Sequence, residues 1–328
     1  MPSMDSNWLG AVDPARRQAF ERALNVAGAG SVLLQTFINR TVQQLHLREL
    51  GAAAVLDRRP GQGNAAYINR RTPGAGADWV ADTAAVTEAT GTYAQASFAY
   101  KTLATRGRVT RFLQATGRSY GDILAGEITG KAGDWSETYE NGVIQGDVGA
   151  DADQFDGLFT LIGSVASQVV AQTSAAAGDA LTLEKLDEAI DVVKGAASRS
   201  DLVILASFAG RRLLNAALQA QQQFNDMVEI AAGFRVRTYD GIPLVTSTEI
   251  PDVMTWSGTA ITAFTGAATT ALIIINKRYV WLEELTPMTV MPLANTDSQF
   301  DNFDIFSDST LVLGNTLGAA ILGGIAVT

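Results

Sequence analysis

Cysteine is absent from this 328-residue chain, and histidine occurs once, at His46. With no thiol there is no disulfide frame, iron–sulfur cluster or thiol chemistry, and the compartment stays open. A lone histidine without cysteine also excludes the common zinc sites. Lysine is scarce: 19 Arg stand against 5 Lys, a ratio suited to fixed, forked ion pairs rather than loose solvation. Charge as a whole is thin at 18%, against about 25% in ordinary soluble domains. Either much of the surface meets other subunits, since interface cores are depleted of charge, or the figure reflects Ala and Gly richness. The net charge of −10 argues against wrapping or reading nucleic acid, which depends on neutralising phosphates. The N-terminus lacks a basic-then-apolar signal pattern. The single membrane-like run, "LVLGNTLGAAILGGIAVT", is broken by Asn315 and Thr316 and has no basic flank. It reads as a buried strand pair turning near Gly314 or Gly318.

What is present is globular: 47% of residues are hydrophobic, and the length implies two packed regions in one subunit. Asp13, Pro14 and Gly28 punctuate a first helix, and a second amphipathic run follows Ser31; both read as an arm that packs elsewhere. Residues 57 to 115 are turn-rich and basic, then alternating, with Tyr93, Phe98, Tyr100, Val109 and Phe112 as β-formers. Two extended arms with Gly/Pro tips predict a long protruding hairpin, which needs a neighbouring surface because it cannot bury itself. Ile123, Leu124, Ile128, Ala132, Trp135, Tyr139 and Val143 form a helical stripe, interrupted by Gly126, Gly130 and Gly133, so that helix must be held by packing, on a sheet. From residue 158 the pattern is α/β: a helix from near Thr182, a strand "DLVILAS", a helix "FAGRRLLNAALQAQQQF", and a hairpin "FRVRTYDGIPLVTS" with an Asp240-Gly241 turn. "TALIIIN" is a core strand and "RYVWLEELTPMTVMPL" a further strand pair. "NTDSQFDNFDIFSDS" is expected as an acidic loop before the last strands.

No catalytic constellation emerges. The loop "GDVGADADQFDG" carries Asp147, Asp151, Asp153 and Asp156, yet read as a calcium loop from Asp151 it fails at positions five (Phe155), six (Asp156) and twelve (Ile162). A solvated joint is the better reading. Ser207 lies between strand and helix as a hydrolase nucleophile would, but its flanks lack the G-x-S-x-G glycines, and His46 precedes it in the chain. An N-cap role fits Ser207 better. "GQGNAAY" has no GK[ST] and is not a phosphate loop.

The order of these elements resembles the major capsid proteins of tailed bacteriophages, the Hong Kong 97-like fold. The likeness runs from about residue 50 to the end. It rests on the long helix ending "YENGVIQGD" before "FDGLFTLI", on "DLVILASFAGRRLL" before "YDGIPLVTSTEIPD", and on "ALIIINKRYVWLEELTPMTVMPL". It implies an α+β subunit with an N-terminal arm (1–56), an extended loop hairpin (57–117), a peripheral domain with a spine helix (118–157), an axial domain (158–272) and returning peripheral strands (273–328). Arg70, Arg71, Trp79, Tyr93, Phe98, Arg106, Arg108 and Arg111 are then the expected subunit-interface residues. Gly146, Gly157, Leu158, Asp240, Gly241 and Pro243 are the expected structural joints. The resemblance implies a self-assembling, non-enzymatic shell subunit of the virion, forming hexamers and pentamers in the host cytoplasm. It would enclose genomic DNA without reading it, and would need no cofactor, metal or membrane. Scaffolding, portal or decoration proteins would be separate partners. Some relatives cross-link covalently through an extended-loop lysine; here Lys101 lies only at the loop's base, and no isopeptide bond is expected. An encapsulin-type compartment and a serine hydrolase using Ser207 are the rival readings.

Overall fold

The computed structural model describes residues 50–72, 79–85, 88, 90–117, 122–195, 199–220, 227–231, 234–257, 260–293 and 299–327. The helices expected near residues 14–27 and after Ser31, and His46, lie outside them. A four-residue helix, α1 (Ala52–Val55), leads into β1 (Asp57–Pro60), β2 (Ala65–Thr72), β3 (Thr92–Ala99) and β4 (Lys101–Thr110). Two helices follow, α2 (Arg111–Gly117) and α3 (Ile123–Gln145). Past the acidic loop come α4 (Leu158–Gly163), β5 (Val169–Ala171), α5 (Leu183–Val192), β6 (Leu202–Ala206) and α6 (Phe208–Ala220). The remainder is strand: β7 (Met227–Ala231), β8 (Phe234–Tyr239), β9 (Ile242–Thr246), β10 (Met254–Trp256) and β11 (Ile261–Ala267). The chain closes with β12 (Thr269–Asn276), β13 (Val280–Pro292), β14 (Phe300–Leu313) and β15 (Ala319–Ala326).

The long helix behaves as its stripe predicts. Asp122 caps it, accepting from the Ala125 amide at 3.2 Å. Trp135, Tyr139 and Val143, four residues apart, are buried, with the first two rings stacked at 4.9 Å. The Trp135 indole N–H donates to the Leu103 carbonyl at 3.3 Å, which lays the stripe on a four-stranded sheet ordered β1-β13-β14-β4. The second sheet has seven strands, β5-β15-β12-β6-β9-β8-β7. Its central strands are buried on both faces, which is why they read as continuous apolar runs. Ala271, Ile273 and Ile275 of β12 join the core beneath α3 and α4, while Leu272 and Ile274 join the one under α5 and α6. The first of these cores also takes in Val280, Leu282, Phe303 and Ile305 from the smaller sheet, so the two packed regions share apolar interior.

Three expectations are corrected. "RYVWLEELTPMTVMPL" is not a strand pair: β13 is one long strand, with register shifts between Glu284 and Thr286 and between Thr286 and Thr289, and the bulged backbone accommodates Pro287 within it. The supposed acidic loop is largely β14, pairing β13 on one side and β4 on the other. Phe303, Ile305, Ser307 and Ser309 alternate inward, while Asp304 and Asp308 turn to the other face and meet Arg106 and Thr102. The acids masked a period-two strand. Finally, β14 and β15 do turn through Gly314–Gly318, but they do not pair with each other; β14 belongs to the smaller sheet and β15 to the larger.

Candidate subunit interface

The projecting feature is the β2–β3 hairpin, paired from Ala65↔Ala99 to Thr72↔Thr92. Its base is packed, with Ala65 and Ala66 buried. Farther out, Tyr67 and Tyr93 are exposed, Tyr93 at 71%, and Trp79 beyond the strand end is fully exposed. The odd-numbered face is exposed and the even-numbered face, with Ile68, Ala96 and Phe98, is half-buried; a two-stranded ribbon has no core of its own. Arg70 anchors it from beneath: its Nε donates to the Gly314 carbonyl at 3.2 Å and its Nη2 to the Leu313 carbonyl. Its guanidinium also lies 6.0 Å from the Phe98 ring, and burial lowers its pKa. Arg71 is exposed, opposite Tyr93 in register. Tyr67, missed in the sequence because the stretch reads as basic turn, sits on the odd-numbered face with Asn69 and Arg71.

Strand β4 does not extend this ribbon; it pairs β14 over its whole length, Lys101↔Ser309 to Thr110↔Phe300. Arg106 therefore meets an acid inside its own chain, forking onto Asp304 at 2.6 and 2.8 Å. The hydrogen bond holds the Asp304 carboxyl below the usual carboxylate range and raises the Arg106 pKa. Arg108 lies over the Phe300 ring at 4.9 Å. Arg111 opens α2, its amide donating to the Gln299 carbonyl at 2.9 Å, so Phe112 is helical and highly exposed rather than a strand residue.

The joints are built from close approach. Gly146 is the C-cap of α3 with φ −51, outside the left-handed region; a Cβ there would sit 2.3 Å from the Phe155 carbonyl oxygen. Gly157 caps α4 and donates to the Gly146 carbonyl at 2.8 Å, and buried Leu158 starts the next layer. The acids between them serve the backbone: Asp147 accepts from Gly149, Asp151 from Asp153, and Asp156 from Val148. Asp240 and Gly241 have φ 48 and 75, the paired positive values of a tight hairpin turn. Pro243 pairs Thr238 of β8, and the parallel ladder to β6 begins only at Leu244, so its missing N–H costs no ladder bond.

Ser207 is 2% exposed. Its Oγ accepts from the Gly210 amide at 2.9 Å and lies 3.1 Å from the Thr270 hydroxyl, the position of a buried N-cap. Lys101 donates to the Ala152 carbonyl at the acidic joint. A buried carboxylate that sequence patterning did not flag is Glu140: it accepts from the Ala52 and Ala53 amides at 2.6 and 2.8 Å and from the Ser247 hydroxyl at 2.8 Å. One side chain thus pins α1 to the long helix α3 and to the residue that follows β9.

A search of curated protein sequences finds no significant match. Among solved structures, the capsid of a native GTA particle is 18% identical with a TM-score of 0.66, covering 93% of this chain and 100% of that one. The capsid of cyanophage A-1(L) is 14% identical with a TM-score of 0.67, covering 90% and 98%. The holo-SrpI encapsulin from Synechococcus elongatus PCC 7942 is 14% identical with a TM-score of 0.65, covering 92% and 95%. These likenesses establish the Hong Kong 97-like fold. The phage capsid family matches residues 30–291, most of the length, and on that match the chain belongs to the phage capsid family.

Proposed function

We propose that this chain is the major subunit of an icosahedral phage head, assembling as hexamers and pentamers that enclose double-stranded DNA. The observation that carries this is the ribbon β2–β3, which exposes Tyr67, Tyr93 and Trp79 in a member of a capsid family. Ribbon aromatics buried on a neighbour contribute about 25 cal/mol per Å² of apolar area removed from water, and repetition over many copies makes a modest contact sufficient. The seven-stranded unit is the axial part, the four-stranded sheet with α3 the peripheral part, and the extended loop is the segment between Pro60 and Lys101. The net charge of −10 suits an interior that holds DNA without gripping it. Scaffolding, portal and decoration proteins act as separate partners, and assembly takes place in the host cytoplasm. Replacing residues 65–99 by a short Gly/Ser link leaves a folded subunit that no longer forms shells; shells of ordinary size from that variant would refute the role given to the ribbon.

One observation favours a second reading, the likeness to an encapsulin of similar TM-score. Nuclease-protected DNA inside purified particles separates the two. The single extended-loop lysine, Lys101, is held at the joint within its own chain, so denaturing gels of particles show monomer only; ladders of covalent multimers would contradict that.

A further inference from the structure

Strand β13 is covered along the whole of one edge but only part of the other. On the first it pairs β14 from Val280 to Pro292. On the second, β1 pairs it in parallel from Trp281 to Glu284, and the ladder ends where the Gly61 amide donates to the Glu284 carbonyl at 2.8 Å. Past Glu284, no strand among the described residues covers that edge. The open stretch, "LTPMTVMP", holds no charged residue, and Leu285, Met288, Val290 and Met291 are between 40% and 46% exposed. Natural edge strands are commonly blunted by charge, and a hydrophobic edge left open is a template for another chain.

The backbone fixes which groups are on offer. The Leu293 amide donates to the Asn302 carbonyl at 3.0 Å, and the same register runs back through Met291↔Asp304 to Thr289↔Phe306. Because direction alternates along a strand, Thr289 and Met291 turn their N–H and C=O groups to β14. Met288 and Val290 turn theirs to the open edge. Pro287 and Pro292, which have no amide donor, bound that window. Two copies of it complement each other when antiparallel with Thr289 opposite Thr289. Each Met288 then faces the other copy's Val290, and each such pair exchanges two backbone hydrogen bonds. Thr289 sits on the two-fold axis in a non-hydrogen-bonded pair, where Cα atoms approach to about 4.5 Å. Copies of a chain with net charge −10 repel one another, so an uncharged strand is where two of them can meet.

We propose that the open edge of β13 pairs with the same edge of a second copy. The inference rests on the shell reading and names a contact beyond the ribbon. A contact of one patch with itself is isologous and cannot close a ring, which takes heterologous contacts; this one therefore joins one ring to the next. Its few residues fall far short of the about 20–30 a side in a stable free interface, so it forms only where rings present many copies together. Methionine suits it, because its flexible side chain repacks and the same contact must serve hexamers and pentamers at different angles.

The test uses single cysteines in the full-length, otherwise cysteine-free chain. Oxidised particles of Thr289→Cys show disulfide-linked dimers, and nothing larger, as the main band on a denaturing gel. Met291→Cys gives none, because its two copies stand about 14 Å apart in this register, beyond a disulfide's reach. Val290→Lys keeps the parent's circular dichroism and still forms rings by native mass spectrometry, but its yield of closed particles falls at least about tenfold (about 1.4 kcal/mol). Thr289→Cys particles without dimers, as when the ribbon or residues 1–49 cover the edge, overturn the contact and leave the shell intact. Dimers from Met291→Cys instead, or Val290→Lys particles at the parent's yield, overturn it equally. A parent chain that forms no particles overturns the shell reading, and this contact with it.

Discussion

Tyr100 sits at the base of the ribbon, donating to Glu283 at 2.6 Å. Desolvation, with the Glu283 hydrogen bond second, pushes its hydroxyl up to about 12. Because the folded chain keeps that proton while the unfolded chain releases it near its ordinary value, the stabilisation is complete below about pH 10. It is lost as pH rises from there towards about 12. Urea midpoints measured across that window fall more steeply for the parent than for Tyr100→Phe; equal slopes would contradict the assignment. Glu140 gives a larger effect. Truncation to Ala strands two buried backbone donors at the start of α1, and the expected cost is about 3 kcal/mol in urea unfolding. Ser247→Ala, which removes one of three donors to the same carboxylate, costs about 1 kcal/mol. A neutral outcome for Glu140→Ala would mean that α1 is held by something else.

Among the elements, the long helix and its joint make the sharpest contrast. A Cβ added at Gly126 or Gly130 would meet nothing within 4 Å, so Ala at either position raises stability by about 1 kcal/mol. At Gly146 the same Cβ would press on two carbonyl oxygens at 2.3 and 2.5 Å, and Ala there lowers stability by about 2 kcal/mol. Differential scanning calorimetry of the three variants reads both signs; a destabilising Gly126→Ala would defeat the account of the spine. The helix was legible because a stripe at three- and four-residue spacing survives interrupting glycines. The Asp240-Gly241 hairpin was legible because few dipeptides adopt paired positive φ. β14 was not, since Asp304 and Asp308 raise local polarity while their partners, Arg106 and Thr102, lie about 200 residues away in β4, beyond any local window. The same non-locality hid the membership of β4: its arginines read as part of the ribbon, and only the pairing with β14 places Arg106 on Asp304. Glu140 carries no local signal at all, because its three donors come from segments far apart in the chain.

At the scale of the molecule, two sheets share an apolar interior, while one ribbon projects with its aromatics exposed. That division suits a rigid body which gains its remaining burial from copies of itself, and it fits the low charge content better than alanine and glycine richness alone. The central claim is assembly, and electron microscopy of the purified full-length chain tests it most directly. The account predicts closed particles with pentameric and hexameric clusters and each ribbon lying across an adjacent copy. Compact monomers at every concentration would contradict it.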